Sequence, residues 1–82
     1  MATKKQVVES WIKGNRASTP NKSLRSDGEN LWSYGLRIGY TVKGFLKIVK
    51  DYTSPAGNFV SATTSTHVGL AKRYADKIVE AL

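Results

Sequence analysis

Hydrophobic and polar positions change period twice along this chain, from helical to strand-like and back. Val7, Val8, Trp11 and Ile12 recur at helical spacing and form one apolar stripe. Thr3 followed by Gln6 fits a capping box, in which hydroxyl and amide satisfy two free backbone donors reciprocally. Gly14 is a natural stop, because glycine takes the left-handed conformation cheaply. The pattern predicts a helix over 3–13. Residues 14–23, including "NRASTPNKS", are dense in turn formers and predict a loop.

The period then drops to two. "DGEN" at 27–30 is a turn signal. In "LWSYGLRIGYTV", residues 31–42, one side carries Trp32, Tyr34, Leu36, Ile38, Tyr40 and Val42. The other carries Leu31, Ser33, Gly35, Arg37, Gly39 and Thr41. Such alternation predicts a strand with one apolar face and one small or polar face. Lys43-Gly44 reads as a hairpin turn, and "FLKIVKDY" as the returning strand. Two registers stay open. A two-residue loop puts Phe45 and Val49 on the face of Tyr40 and Ile38; a bulge at Gly44 puts Leu46 and Ile48 there instead. "SPAG" at 54–57 reads as a turn, "NFVSAT" at 58–63 as a third strand, and "SLRS" at 23–26 as a short edge strand. The sheet is expected over 24–64.

Helical spacing returns at the end. Val68, Ala71, Tyr74, Ala75, Ile78, Val79 and Leu82 fall on one face, and Lys72, Arg73, Asp76, Lys77 and Glu80 on the other. The expected helix is 65–82. Ser65 or Thr66 would cap it at about 1 kcal/mol, and Lys72 would pair with Asp76 at about 0.3 kcal/mol. The expectation is a single α+β domain over 1–82. A three- to four-stranded antiparallel sheet is flanked by an N-terminal and a C-terminal helix. Trp32, Tyr34 and Tyr40 have the makings of a stacking platform for single-stranded nucleic acid. In so small a chain, however, the one fully apolar sheet face is needed under the helices, so these aromatics are expected in the core. The opposite face, with Arg37 between Gly35 and Gly39 and with one alternation of the lysines in "FLKIVK", is the expected exposed surface.

Composition narrows the partners. Thirteen Lys and Arg against six Asp and Glu give a formal charge of +7, which attracts polyanions: nucleic acid, acidic protein or anionic lipid. No block of five like charges occurs, so the charge belongs to a folded surface rather than a basic arm. Cysteine is absent, which excludes disulfides and thiolate metal sites and fits a cytoplasmic protein. No apolar run approaches the roughly 20 residues of a membrane span. "MATKKQVVES" is too broken for a signal peptide.

Candidate chemistry gathers in "SATTSTHVGLAKRYA", residues 61–75, which holds the chain's one histidine. A hydrolytic triad needs an acid within reach of His67, but Asp51 and Asp76 lie at the wrong ends, and no Gly-x-Ser-x-Gly elbow exists. The chain reads as non-enzymatic. One His with no Cys cannot hold zinc, and no cofactor is expected. Two readings of the run remain. It is a helix cap, and it is also an anion site, where free helix amides join Ser65, Thr66 and His67. Lys72 and Arg73 would reach back to that anion, and Arg37 or Lys47 would supplement it from the sheet.

"LWSYGLRIGY" followed by "VSATTSTHVGLAKRYAD" resembles a family of small uncharacterised bacteriophage and mobile-element proteins, over roughly residues 28–76. The matching positions are Ser33, Tyr34 and Gly35, then Thr63, Thr64, Ser65 and His67. The resemblance implies a phage-type accessory protein acting in a bacterial cytoplasm. Two functions follow as expectations. The first is nucleic-acid binding through the basic surface and the helix-start anion site. The alternative is a host-directed effector that binds and inhibits or redirects a bacterial polymerase, nuclease or defence complex.

Overall fold

The computed structural model describes residues 3–52 and 62–80. Helix α1 (Lys4–Ile12) begins at the Thr3–Gln6 capping box read from the sequence, with both reciprocal bonds present. Strands β1 (Arg16–Ser18), β2 (Leu24–Asp27), β3 (Leu31–Ser33), β4 (Leu36–Val42) and β5 (Leu46–Asp51) follow as an antiparallel meander. Helix α2 (Ala62–Lys72) leads into β6 (Lys77–Glu80), which pairs parallel to β5. The sheet is therefore mixed and six-stranded, in the order β1 to β6.

This corrects the expected three- to four-stranded antiparallel sheet. β1 lies inside the expected loop, and "SLRS" falls on β2, an inner strand between β1 and β3. The predicted helix over 65–82 starts at Ala62, ends at Lys72 and gives way to a strand. Its last turn tightens through i→i−3 bonds from Arg73 to Leu70 and from Tyr74 to Ala71. Asp76 then clamps onto β5: its carboxylate accepts from the Lys47 amide, and its own amide donates to the Lys47 carbonyl, both at 2.8 Å. The β-branched pair Ile78-Val79 continues as the strand that covers the edge of β5. The predicted Lys72–Asp76 pair does not form; Lys72 bonds Asp51 at 3.3 Å instead. The "SPAG" turn and the first four residues of "NFVSAT" lie outside the described residues, and Ala62 and Thr63 at its end are helical.

The twelve-residue alternation is not one strand. Tyr34 and Gly35 turn the chain between β3 and β4, so Ser33 and Leu36 become register partners on one face. One extra residue, Ile38, then bulges between the pairs Trp32–Arg37 and Leu31–Gly39. Each event flips the parity. Leu31, Ser33, Leu36, Ile38, Gly39 and Thr41 consequently face the helices, while Trp32, Arg37 and Tyr40 face away. In the β4–β5 hairpin, Val42 pairs with Leu46 and Tyr40 with Ile48. Leu46 and Ile48 thus share the face of Tyr40, as in the bulged register, but Ile38 does not.

Both helices pack on one side of the sheet. Val7, Val8 and Trp11 of α1 join Val68 and Ala71 of α2 over Leu24, Leu31, Ile38 and Val49, all fully buried. The central tryptophan is Trp11, not Trp32. Its indole lies against Gly39, where a Cβ would come within 2.8 Å of the ring, so only glycine fits.

Candidate functional site

Four of the residues that carry the resemblance, Ser33, Tyr34, Thr64 and His67, meet in space. His67 Nδ1 lies 2.8 Å from Ser33 Oγ, and Ser33 Oγ lies 3.1 Å from Thr64 Oγ1. The three side chains are buried and tie β3 to α2. Tyr34 stands at the rim, its ring centroid 6.4 Å from that of His67. Its φ of 56° is unusual for a bulky residue, and its amide donates to the Ser23 carbonyl. His67 Nε2 is enclosed and has no partner. Burial pushes the imidazole below its ordinary pKa, and the charge of Lys4 adds to the effect. A neutral, enclosed ring with no exposed atom is not an anion ligand. The helix begins upstream of Ser65 and Thr66, so they occupy its interior rather than a cap.

The other predicted site residues do not converge. Lys47 is buried on the helix side of the sheet. Its Nζ donates to Thr41 Oγ1 at 2.7 Å and to the Gly28 carbonyl at 3.2 Å, and it lies 5.5 Å from the centroid of the Trp11 ring. Desolvation lowers its pKa against the pull of Glu29, Asp76 and Asp27. Lys72 is engaged with Asp51, and Arg73 is exposed past the end of α2. Only Arg37 lies on the open face of the sheet.

That open face carries an arrangement the alternation concealed. Arg25, Trp32 and Arg37 are register partners across β2, β3 and β4 and form one row. The Arg25 guanidinium lies 5.2 Å from the centroid of the Trp32 ring, and that of Arg37 lies 5.4 Å from the centroid of Tyr40. Both arginines are exposed and both rings half-buried. On β1, Arg16 and Ser18 extend the same face. Among the described residues, no carboxylate forms an ion pair with Arg16, Lys22, Arg25 or Arg37.

Asp27 is the acid on this face, and its charge is internally committed. Desolvation works against ionisation, but amides of Asn30 and Glu29, the Asn30 side chain and the Trp32 indole outweigh it and hold the pKa at about 2. The indole bond, at 3.3 Å, also fixes the orientation of Trp32. The turn beneath is pinned from the core: Trp11 Nε1 and Thr41 Oγ1 both donate to the Glu29 carbonyl, at 2.8 and 2.7 Å. The signal that could have exposed this row was the turn at Tyr34-Gly35, which reads in sequence as a continuation of the strand.

Among the described residues no helix is long and apolar enough to cross a membrane, and no three His, Cys, Asp or Glu side chains gather as a metal site. No family model, curated protein or solved structure matches the chain.

Proposed function

We propose that the chain is a non-enzymatic accessory protein that binds nucleic acid on the open face of its sheet. The observation that carries this reading is the Arg25–Trp32–Arg37 row, with Tyr40 beside it, on the face both helices leave uncovered. Unpaired guanidinium groups attract phosphate, and half-exposed rings beside them offer stacking surface. The +7 charge gives the longer-range attraction. The resemblance to phage and mobile-element proteins sets this activity in a bacterial cytoplasm. Anion capture at the start of α2 is no part of the proposal, because His67 is enclosed.

A salt titration of binding to a mixed-sequence oligonucleotide tests it. Arg25→Ala and Arg37→Ala should each weaken binding and lower the slope of log K against log salt by about 0.7 to 0.9, one released counterion. Arg73→Ala, on the helix side, should change neither. Equal losses from Arg73→Ala and Arg37→Ala would move the interface to the helical layer. No binding at low salt would end the nucleic-acid reading and put a host protein first as partner.

A further inference from the structure

Beside the row, at the β1–β2 end of the sheet, lies an open cavity of about 520 Å³ whose lining includes Arg16, Ser18, Lys22 and Arg25. Three cations and two serines, Ser18 and Ser26, line it with Ala17, and no acidic residue does. Asp27 is Arg16's register partner, but its carboxylate is taken up by Asn30, Glu29 and Trp32. Lys22 is held at the rim by a left-handed turn, φ 58°, with its amide bonded to the Thr19 carbonyl. Arg25 belongs to both features: it lines the cavity and lies over Trp32. The cavity and the aromatic row are therefore one continuous surface, cationic at one end and aromatic at the other.

From this geometry we infer that the ligand of the open face is a single strand, with a backbone phosphate seated among Arg16, Lys22 and Arg25 and bases stacked on Trp32 and Tyr40. The inference rests on the proposed nucleic-acid reading and deepens it. Exposed stacking surface favours a single strand over a duplex. Duplex bases are already stacked on one another, so exposed rings gain nothing from them, whereas unstacked bases gain directly.

The experiment compares an oligothymidine of about ten nucleotides, within the usual range of such sites, with a blunt duplex of equal length. Binding is followed at low salt through tryptophan fluorescence. Trp11 is fully enclosed, so quenching reports Trp32. The single strand should bind at least about tenfold tighter than the duplex, the equivalent of one base stack, and should quench the emission. Trp32→Phe should keep most of the affinity and lose the quench. Trp32→Ala should lose about tenfold in affinity with the salt slope unchanged. Arg16→Ala with Lys22→Ala should weaken binding and lower the slope by about 0.7 for a single strand, the one phosphate they hold with Arg25, while leaving the quench at saturation intact. Duplex binding as tight as single-strand binding would overturn the inference and leave the broader reading standing. An unchanged slope in the Arg16/Lys22 variant would remove the phosphate from the cavity. Absence of binding to either probe would overturn both readings together.

Discussion

Two tryptophans in this chain do opposite work, and the reason is parity. Trp11 is enclosed between α1 and the sheet, bonded to the Glu29 carbonyl and pressed on Gly39. Trp32 is half-exposed on the opposite side. Trp11→Ala should cost about 3–5 kcal/mol, as buried aromatic truncations do, enough to threaten a marginal domain. Trp32→Ala should cost only about 1 kcal/mol, the order of a cation–π contact. Thermal midpoints of the two variants check this; equal losses would mean that Trp32 is core. His67 gives a second test at this scale. Its pKa in the fold lies below the ordinary 6.5, so the unfolded chain binds the proton more readily. Stability is then complete above about pH 6.5 and falls as the pH drops below it, until the folded-state pKa is passed. His67 is the only histidine, so the slope just below pH 6.5 should vanish in His67→Gln. A slope that survives there would assign the acid sensitivity to another group.

At the scale of elements, what the sequence showed depends on whether a local rule or a tertiary contact decides. α1 was legible to its cap because Thr3 and Gln6 act on neighbours in the chain. The Asp27 turn was legible for the same reason. The fate of residues 73–80 was not. Ile78 and Val79 fit a helical stripe as well as a strand, and the open edge of β5 decides between them. The turn at Tyr34-Gly35 and the bulge at Ile38 were hidden in the same way: between them the parity is reversed, so Leu36 and Ile38 leave the face of Trp32 and Tyr40 and Arg37 joins it. Of the candidate site, only Arg37 was both anticipated and exposed on the open face; Lys47 and His67 are titratable groups that the fold encloses. Asp76 is the latch of the β5–β6 pair, through its two bonds to Lys47. Asp76→Ala should release β6 while the meander persists. Hydrogen exchange should then quicken in β6 and on the facing edge of β5, with β2 to β4 still protected. Uniform quickening across the sheet would show that β6 is integral to the cooperative unit.

For the whole molecule, charge sets two opposed responses to salt. The +7 excess is carried by a protein with a radius of gyration of 11.2 Å, so the cations lie within mutual reach at low ionic strength. Arg16, Lys22, Arg25 and Arg37 share one side of the sheet without paired carboxylates, and their repulsion works against the compact state. At 0.1 M salt the screening length is about 10 Å, comparable to the molecule itself, and much of that repulsion is removed. The thermal midpoint of the free protein should therefore rise as salt increases from about 0.01 to 0.15 M. Binding to an oligonucleotide should weaken over the same range, because counterion release then yields less free energy. At low salt a saturating oligonucleotide should raise the midpoint by mass action and by neutralising the cations together, and the rise should shrink as salt is added. Arg25→Ala with Arg37→Ala should flatten both trends, since it removes repulsion and phosphate contacts from the same face. A midpoint that falls with salt would mean that attraction between opposite charges dominates the folded state. In that case the cations of the open face are already compensated, and they are not held in readiness for a polyanion.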